Sequence, residues 1–262
     1  MEGILIGALL VVAGIFCCTY VRKSFQNKNL EIQYIKTSTI AETRKNLEEN
    51  EKAGFTGYRE YVELKGKADA KTPQSTPYSK QEVAYYDANM YQVYEETNTY
   101  RDEKGNVRNR ITKSESLISN QKSMGPLLVK DPQTGERAII EISEAGMQLD
   151  TIKAFDKFEP QQAMQQYGFF KSLSFRPLGA RTLGFRMTEE VIPIGHSLYV
   201  LGEAYLQSGE LYIGKPLDGK KPFIVSVKSE AELIESNKFA STLSLVGGIV
   251  LAVLGVFVMI FY

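Results

Sequence analysis

Tryptophan is absent from this 262-residue chain, histidine occurs once and cysteine twice. Each scarcity removes a class of chemistry. Both cysteines, Cys17 and Cys18, lie in an apolar run near the N-terminus, so the remaining chain has no thiol nucleophile, disulfide or thiolate zinc ligand. The single histidine, His196, cannot build a multi-histidine metal site, and no HExxH or GxSxG string is present to seat a zinc ion or an activated serine. No metal and no cofactor are expected. Net charge is also missing: 31 basic residues offset 31 acidic ones, so no global field draws nucleic acid to the chain.

What the chain does have is apolar residues concentrated at its two ends. Gly3 to Val21 and Leu243 to Tyr262 carry no charge, and at about 1.5 Å per helical residue each reaches roughly the 30 Å of a bilayer's hydrocarbon core. A cleaved signal peptide would need a basic stretch before the first run, and Glu2 is the only side-chain charge there. Phe16 and Cys17 stand where a lipoprotein cysteine needs a small neighbour. A retained anchor is therefore expected, and with it an integral membrane protein of two spans in contact with membrane lipid.

Arg22, Lys23 and Lys28 follow the first span and Lys238 precedes the second, while neither terminus has Lys or Arg. In a bacterial plasma membrane this asymmetry predicts a cytoplasmic location for the residues between the spans. Glycines recur seven residues apart in both spans, Gly7 with Gly14 and Gly248 with Gly255. That spacing puts each pair on one helical face, where helices can approach closely and the chain can self-associate. Glycine tolerated on a lipid-facing helix is the alternative.

Between the spans the texture changes along the chain. The predicted organisation is a transmembrane helix over 1–22, a juxtamembrane helical linker over 23–54, a β domain over 55–235, a linker over 236–242 and a second transmembrane helix over 243–262. Ser38 to Gly54 has a Thr39/Glu42 capping box, a run of helix formers and a closing glycine. From Tyr58 onward, short runs such as EVAYYDANMYQVYEE, GPLLVKD, ERAIIEIS, HSLYVLGEAY, ELYIG and PFIVSV are bounded by Gly, Pro, Asn and Asp, which marks strands. Asp131-Pro132 with Gly135, and Asp218-Gly219, read as turns. Asp131 is thus a turn former before it is a metal ligand. Glu159 to Tyr167 reads as a short helix. The fold class expected is mainly β (α+β): an antiparallel β domain between two transmembrane helices, with a juxtamembrane helix.

One string imitates a phosphate-binding loop. GELYIGKP, Gly209 to Pro216, places Lys215 in the lysine position, yet Pro216 offers neither a hydroxyl for magnesium nor an N–H for phosphate. The string reads as a strand.

YVELKGKA at 61–68, TPYSKQEVAYYDANMYQVYEE at 76–96, GPLLVKDPQTGERAIIEI at 125–142, EEVIPIGHSLYVLGEAY beginning at 189 and KPFIVSV ending at 227 together resemble the GIDE domain. This domain, also called BAM for "beside a membrane", belongs to membrane-anchored ubiquitin ligases of the MULAN/MAPL type. The resemblance runs in order over about 58–235, and IPIGHSLYVLGEA is its most specific stretch. It implies an antiparallel β domain flanked by two spans, and a ligase whose RING finger follows the second span with about eight Cys/His zinc ligands. The sequence stops at Tyr262, so that activity has no expected seat within it. Val83 or Ala84 stands where family members often have a cysteine.

The reading that follows is a two-span protein presenting a β domain as a protein-binding or adaptor module, its partner unknown. The alternatives are a component of ubiquitin-like ligation working with a separate RING or conjugating subunit, a membrane scaffold without catalysis, and a hydrolase using His196 with a serine such as Ser197. His196 reads as structural, in a strand between two glycines. Tyr85, Tyr86, Tyr91 and Tyr94 are the candidate partner surface, since exposed tyrosine gives large contact area at low entropic cost. Alternation along a strand equally puts several of them in a core.

Overall fold

A computed structural model describes residues 2–101, 104–142, 145–164 and 180–261. Helix α1 (Glu2–Phe16) passes through a π-helical turn (Cys17–Val21) into α2 (Arg22–Tyr34), followed by β1 (Thr37–Ser38) and α3 (Ile40–Lys52). Strands β2 (Glu60–Ala70), β3 (Gln74–Ser75), β4 (Glu82–Arg101), β5 (Val107–Lys122), β6 (Leu127–Lys130), β7 (Arg137–Ile140), β8 (Met147–Asp150) and β9 (Ile152–Pro160) lead to a short helix α4 (Gln161–Met164). Then come β10 (Ala180–Pro193), β11 (Ser197–Gln207), β12 (Glu210–Gly214), β13 (Phe223–Ser226) and α5 (Glu230–Phe261). The fold is mostly β between two apolar helices, as the sequence predicts. The helix expected over 159–167 is present as α4, and residues 165–167 lie outside the described residues.

The 55–235 region is divided between two compact units. An anchor unit combines Met1–Lys67, Val129–Asp150 and Ser197–Tyr262; an arm unit combines Ala68–Leu128 and Thr151–His196. Each sheet recruits strands that are far apart in sequence, so no linear boundary separates the units.

In the anchor unit, β11 pairs with β2 along one edge and with β13 and then β12 along the other. The sheet runs β1-β2-β6-β7-β12-β11-β13-β8, and the extra β2–β11 pairing closes β2, β6, β7, β12 and β11 into a ring. Gly202 sits where β11 changes partner from β13 to β12; a Cβ there would lie 2.9 Å from both the Gly214 carbonyl oxygen and the Phe223 ring. Leu64, Ile140, Leu198, Leu211 and Ile213 are fully buried, each such side chain stabilising the fold by about 1.5–3 kcal/mol. The turns form as predicted. Asp131 Oδ1 accepts from the N–H groups of Gln133 and Thr134 at 2.7 and 3.2 Å, and Ser208 and Gly209 take positive φ in the two-residue β11–β12 hairpin.

The two helices are part of this unit rather than tethers to it. Gly3–Tyr34 and Glu230–Phe261 each run 32 residues and are long and apolar enough to cross a membrane. At about 1.5 Å per residue they exceed a 30 Å hydrocarbon core by more than three turns. The surplus is used for docking: Ile32 of α2 and Leu233 of α5 pack with Tyr199, Leu201 and Ile224 on the sheet. The Thr39/Glu42 capping box also forms, and α3 buries Ile40, Thr43 and Leu47.

Most of α1 is exposed to its surroundings, and its described buried residues are the two glycines. A Cβ on Gly7 would lie 2.5 Å from the Gly255 carbonyl oxygen, and one on Gly14 would lie 2.5 Å from that of Gly248. The four glycines therefore meet within one chain, backbone against backbone. Beside this seam, the Ser244 hydroxyl donates to the Cys17 carbonyl at 2.7 Å in the π-helical turn. Higher up, Asn237 Nδ2 donates to Asn29 Oδ1 at 2.9 Å, and Asn29 Nδ2 to the Ile234 carbonyl at 3.2 Å.

Both asparagines are buried, so changing one strands the other. Asn237→Leu is expected to cost about 1–3 kcal/mol, and Asn29→Leu combined with Asn237→Leu less than the sum of the single changes. Unfolding of the full chain in detergent micelles measures this cycle; strict additivity would show that the pair does not act as a unit.

The arm unit is a five-stranded sheet with order β3-β4-β10-β9, in which β5 pairs with β4 beside β3. Glu189, fully buried, fastens the 76–81 loop by accepting from the Ser79 N–H and hydroxyl and from the Tyr78 N–H. Thr76 closes the loop by accepting from the Gln81 N–H at 3.1 Å.

Candidate functional site

His196 sits at the end of a tight turn. Gly195 has φ +76°, and the His196 N–H donates to the Pro193 carbonyl at 3.2 Å. The Gly195 N–H reaches the Ala68 carbonyl and the Ala68 N–H reaches the His196 carbonyl, both at 2.8 Å. Its backbone therefore fastens the turn to the end of β2. The neighbouring Ser197 hydroxyl accepts from Lys67 Nζ at 3.0 Å. Among the described residues, no group of three or more His, Cys, Asp or Glu side chains is placed to hold a metal ion.

The GELYIGKP string is β12 and its exit, with no helix after it; Lys215 Nζ donates to the Ala145 carbonyl at 3.0 Å. The LYVLGEAY stretch is scaffold as well. Leu198, Val200, Leu201 and Ala204 are buried in β11, and Tyr199 donates from its hydroxyl to the buried Glu63 at 2.7 Å. Glu203 accepts from the Leu217 N–H at 3.1 Å and pairs with Arg59 at 3.4 Å.

At the end of the same stretch, the Arg59 guanidinium lies 4.2 Å over the Tyr205 ring, which stacks on Tyr212 at 5.6 Å. The Tyr205 hydroxyl donates to Glu141 at 2.9 Å. Burial first, and then the Glu141 carboxylate, push this phenol up to about 12 from 10.0. A folded pKa raised above the unfolded one means the stabilisation is complete below pH 10 and is lost as pH rises towards 12. Difference titration of the wild type against Tyr205→Phe, followed by tyrosinate absorbance, is therefore expected to reveal one phenol ionising near pH 12; ionisation at 10 would contradict this placement.

The four candidate tyrosines lie on β4, which has β10 along one edge and β5 along the other. Tyr85 is buried in the core, and Tyr86, Tyr91 and Tyr94 are half-buried. Because side chains alternate along a strand, the four are split between two faces and do not converge on one patch.

The exposed surface lies further along the same hairpin. Among the described residues, pairing with β10 reaches Glu96, and Thr97–Arg101 pairs with 107–111 of β5. Directly paired residues share a face, which aligns Val107, Ile111 and Leu117 with Arg101, Thr97 and Tyr91. Val107, Ile111 and Leu117 are 63, 67 and 52% exposed, and at about 3.3 Å per residue they mark a mixed stripe roughly 33 Å long, with Asn109, Lys113 and Glu115 between them on the same face.

Charged groups flank the stripe. Arg186 is held by both oxygens of Asp156 at 2.8 and 2.7 Å, and Lys113 lies 5.7 Å from the Phe158 ring. Hydrogen bonds from Arg186, and then from Lys153, hold the Asp156 carboxyl well below its usual range. On its outer edge β5 has no strand partner among the described residues, leaving an edge of 16 residues.

Sequence reasoning passed over this surface because VRNRITKSESLISNQK lacks the alternation of a half-buried strand. Both its faces are largely exposed, so neither needs to be apolar. The available signals were Val107, Ile111 and Ile118 and the Gly105 turn, which adopts φ +81°.

A family model named GIDE and described as E3 ubiquitin ligase matches residues 95–260, from the end of β4 through α5. No curated protein and no solved structure matches the chain.

Proposed function

The chain belongs to the GIDE family, a family described as E3 ubiquitin ligase, and from that premise we propose that it is a membrane-anchored adaptor whose arm docks an extended segment of a protein partner. The observation that carries this reading is the outer edge of β5, which has no strand partner among the described residues, beside the exposed Val107, Ile111 and Leu117. An incoming strand would pair with the outward-facing backbone of β5, and its alternate side chains would cover Val107, Ile111 and Leu117. The flanking cations and carboxylates would set register and direction rather than supply most of the affinity. The positive-inside pattern of Arg22, Lys23, Lys28 and Lys238 supports a cytoplasmic arm if the membrane is a bacterial plasma membrane.

A photo-crosslinking residue at Ile111 in native membranes tests the reading, with Glu48 on exposed α3 as the control position. A discrete protein adduct at Ile111 and none at Glu48 is expected, together with its loss when a proline at Ser116 interrupts the edge. Equal labelling at both positions, or none at Ile111, would rule the arm out as the docking surface.

The family description favours a second reading, in which the docked protein belongs to a ubiquitin-like ligation system and a separate RING or conjugating subunit supplies catalysis. The 262 residues hold too few cysteines and histidines for a RING ligand set. Reconstitution with charged conjugating enzyme and a RING subunit separates the readings: conjugates that require the arm support ligation, and conjugation indifferent to it leaves the adaptor reading alone.

A further inference from the structure

Four lysines surround one cleft at the point where the first apolar helix becomes charged. The cleft, about 740 Å³, is bounded on the helix by Tyr20, Lys23, Ser24, Asn27 and Lys28, and on the loop between β12 and β13 by Lys220 and Lys221. Glu31 is the one carboxylate in its lining. None of the four lysines is ion-paired among the described residues. Lys28 donates to the Gln148 amide oxygen at 3.3 Å, and Lys221 lies 4.8 Å over the Tyr61 ring; both partners are neutral. The loop is shaped by Asp218, which accepts from the Lys220 N–H at 3.0 Å through its side chain and from the Lys221 N–H at 3.1 Å through its carbonyl.

Four like charges gathered beside a single carboxylate repel one another, and a bound anion relieves that repulsion. The depth of the cleft identifies the anion. Tyr20 and Val21 end the uncharged run, and Arg22 and Lys23 begin the charged one, so the cleft lies at the level of lipid headgroups, where tyrosine is favoured. Leu217, in the same loop, is 77% exposed and offers an apolar side chain for the bilayer to cover. The Ser24 hydroxyl and Asn27 amide add neutral donors suited to phosphate oxygens.

We propose that this cleft is a headgroup site for an anionic phospholipid of the leaflet nearest the β strands. The assignment rests on the helices being membrane spans and is independent of what the arm docks.

The full chain, purified in detergent, is offered phosphatidylglycerol and phosphatidylcholine with identical acyl chains, and retained lipid is read by native mass spectrometry. Phosphatidylglycerol is expected to be retained about tenfold better, because several lysines share the attraction for one headgroup. Lys23→Gln with Lys220→Gln and Lys221→Gln is expected to abolish the preference while leaving the melting temperature of the chain intact. Lys45→Gln with Lys52→Gln, on α3, is expected to preserve it. Equal retention of the two lipids by the wild type, or an undiminished preference in the triple variant, overturns the proposal. Displacement of phosphatidylglycerol by inorganic phosphate at equal concentration overturns it too, in favour of a soluble phosphate ligand. Release of the wild-type chain from membranes by alkaline carbonate would remove the spanning premise itself, a failure distinguishable from a retained chain that shows no lipid preference.

Discussion

Gly248→Val is expected to separate the two long apolar helices, whereas Gly247→Val, one residue earlier, is expected to leave them together. A Cβ on Gly248 would lie 2.5 Å from Cys18 Sγ and 2.7 Å from the Gly14 carbonyl oxygen, and backbone cannot swing aside as a flexible side chain can. At Gly247 no atom lies within 4 Å of the added Cβ. Overpacking at the seam costs about 3 kcal/mol. It also pulls apart the Ser244 hydroxyl and the Cys17 carbonyl, which lie at 2.7 Å. Thermal unfolding of both variants in detergent micelles measures the contrast. Equal stability would mean that the helices do not meet along the glycine seam. Because Ile32 and Leu233 carry the same helices onto the sheet, the effect should extend to the β strands they touch.

Glu63→Ala is expected to destabilise the anchor unit by about 1–3 kcal/mol, the range for leaving a buried hydrogen-bonding group without its partner. Glu63 is 1% exposed and accepts from the Tyr199 hydroxyl at 2.7 Å and the Thr37 hydroxyl at 2.5 Å, while Lys65 Nζ lies 3.0 Å away. Lys65 also reaches Glu230 at 2.7 Å, at the first turn of α5. One carboxylate thus ties the segment leaving the first helix to the strands, and through Lys65 to the start of the second helix. Its removal leaves the Tyr199 hydroxyl buried without an acceptor and Lys65 with Glu230 alone.

The same network sets a pH dependence. Burial alone would lower the Lys65 pKa, but the hydrogen bonds its ammonium donates to Glu230 and Glu63 outweigh it and hold the pKa above 10.5. The stabilisation is therefore complete below pH 10.5 and is lost as pH rises through the elevated folded value. Chemical unfolding at neutral pH measures Glu63→Ala, and Glu63→Gln separates charge from hydrogen bonding: it retains an acceptor for Tyr199 and should recover part of the loss. A Glu63→Ala chain as stable as the wild type would show that the carboxylate is not structural.

The two long apolar runs, the Thr39 cap, the Asp131 turn and the strands β11 and β12 were legible in sequence because each rests on a local signal. Hydropathy alone marks an uncharged run, a capping box joins residues three apart, and a strand shows as a short β-rich run bounded by turn residues. β5 and β9 were passed over for the converse reason. FDKFEP and VRNRITKS lie where faces are exposed, so burial does not impose a pattern on them. Tyr85, Tyr86, Tyr91 and Tyr94 show the same limit from the other side, since alternation separates them but cannot reveal that strands lie along both edges of β4.

By itself the sequence determined a mainly β chain with two apolar runs long enough to cross a membrane, both cysteines confined to the first run and a single histidine, because composition, run length and short-range spacing are properties of the chain alone. Only the tertiary structure decided that the glycines of the two helices face each other, that Glu63 gathers Thr37, Lys65 and Tyr199, that four lysines line one cleft, and that β5 has no strand partner on its outer edge among the described residues. Those are meetings between residues tens to hundreds of positions apart. Their geometry depends on which strands pair and which helices dock, and no local preference encodes that.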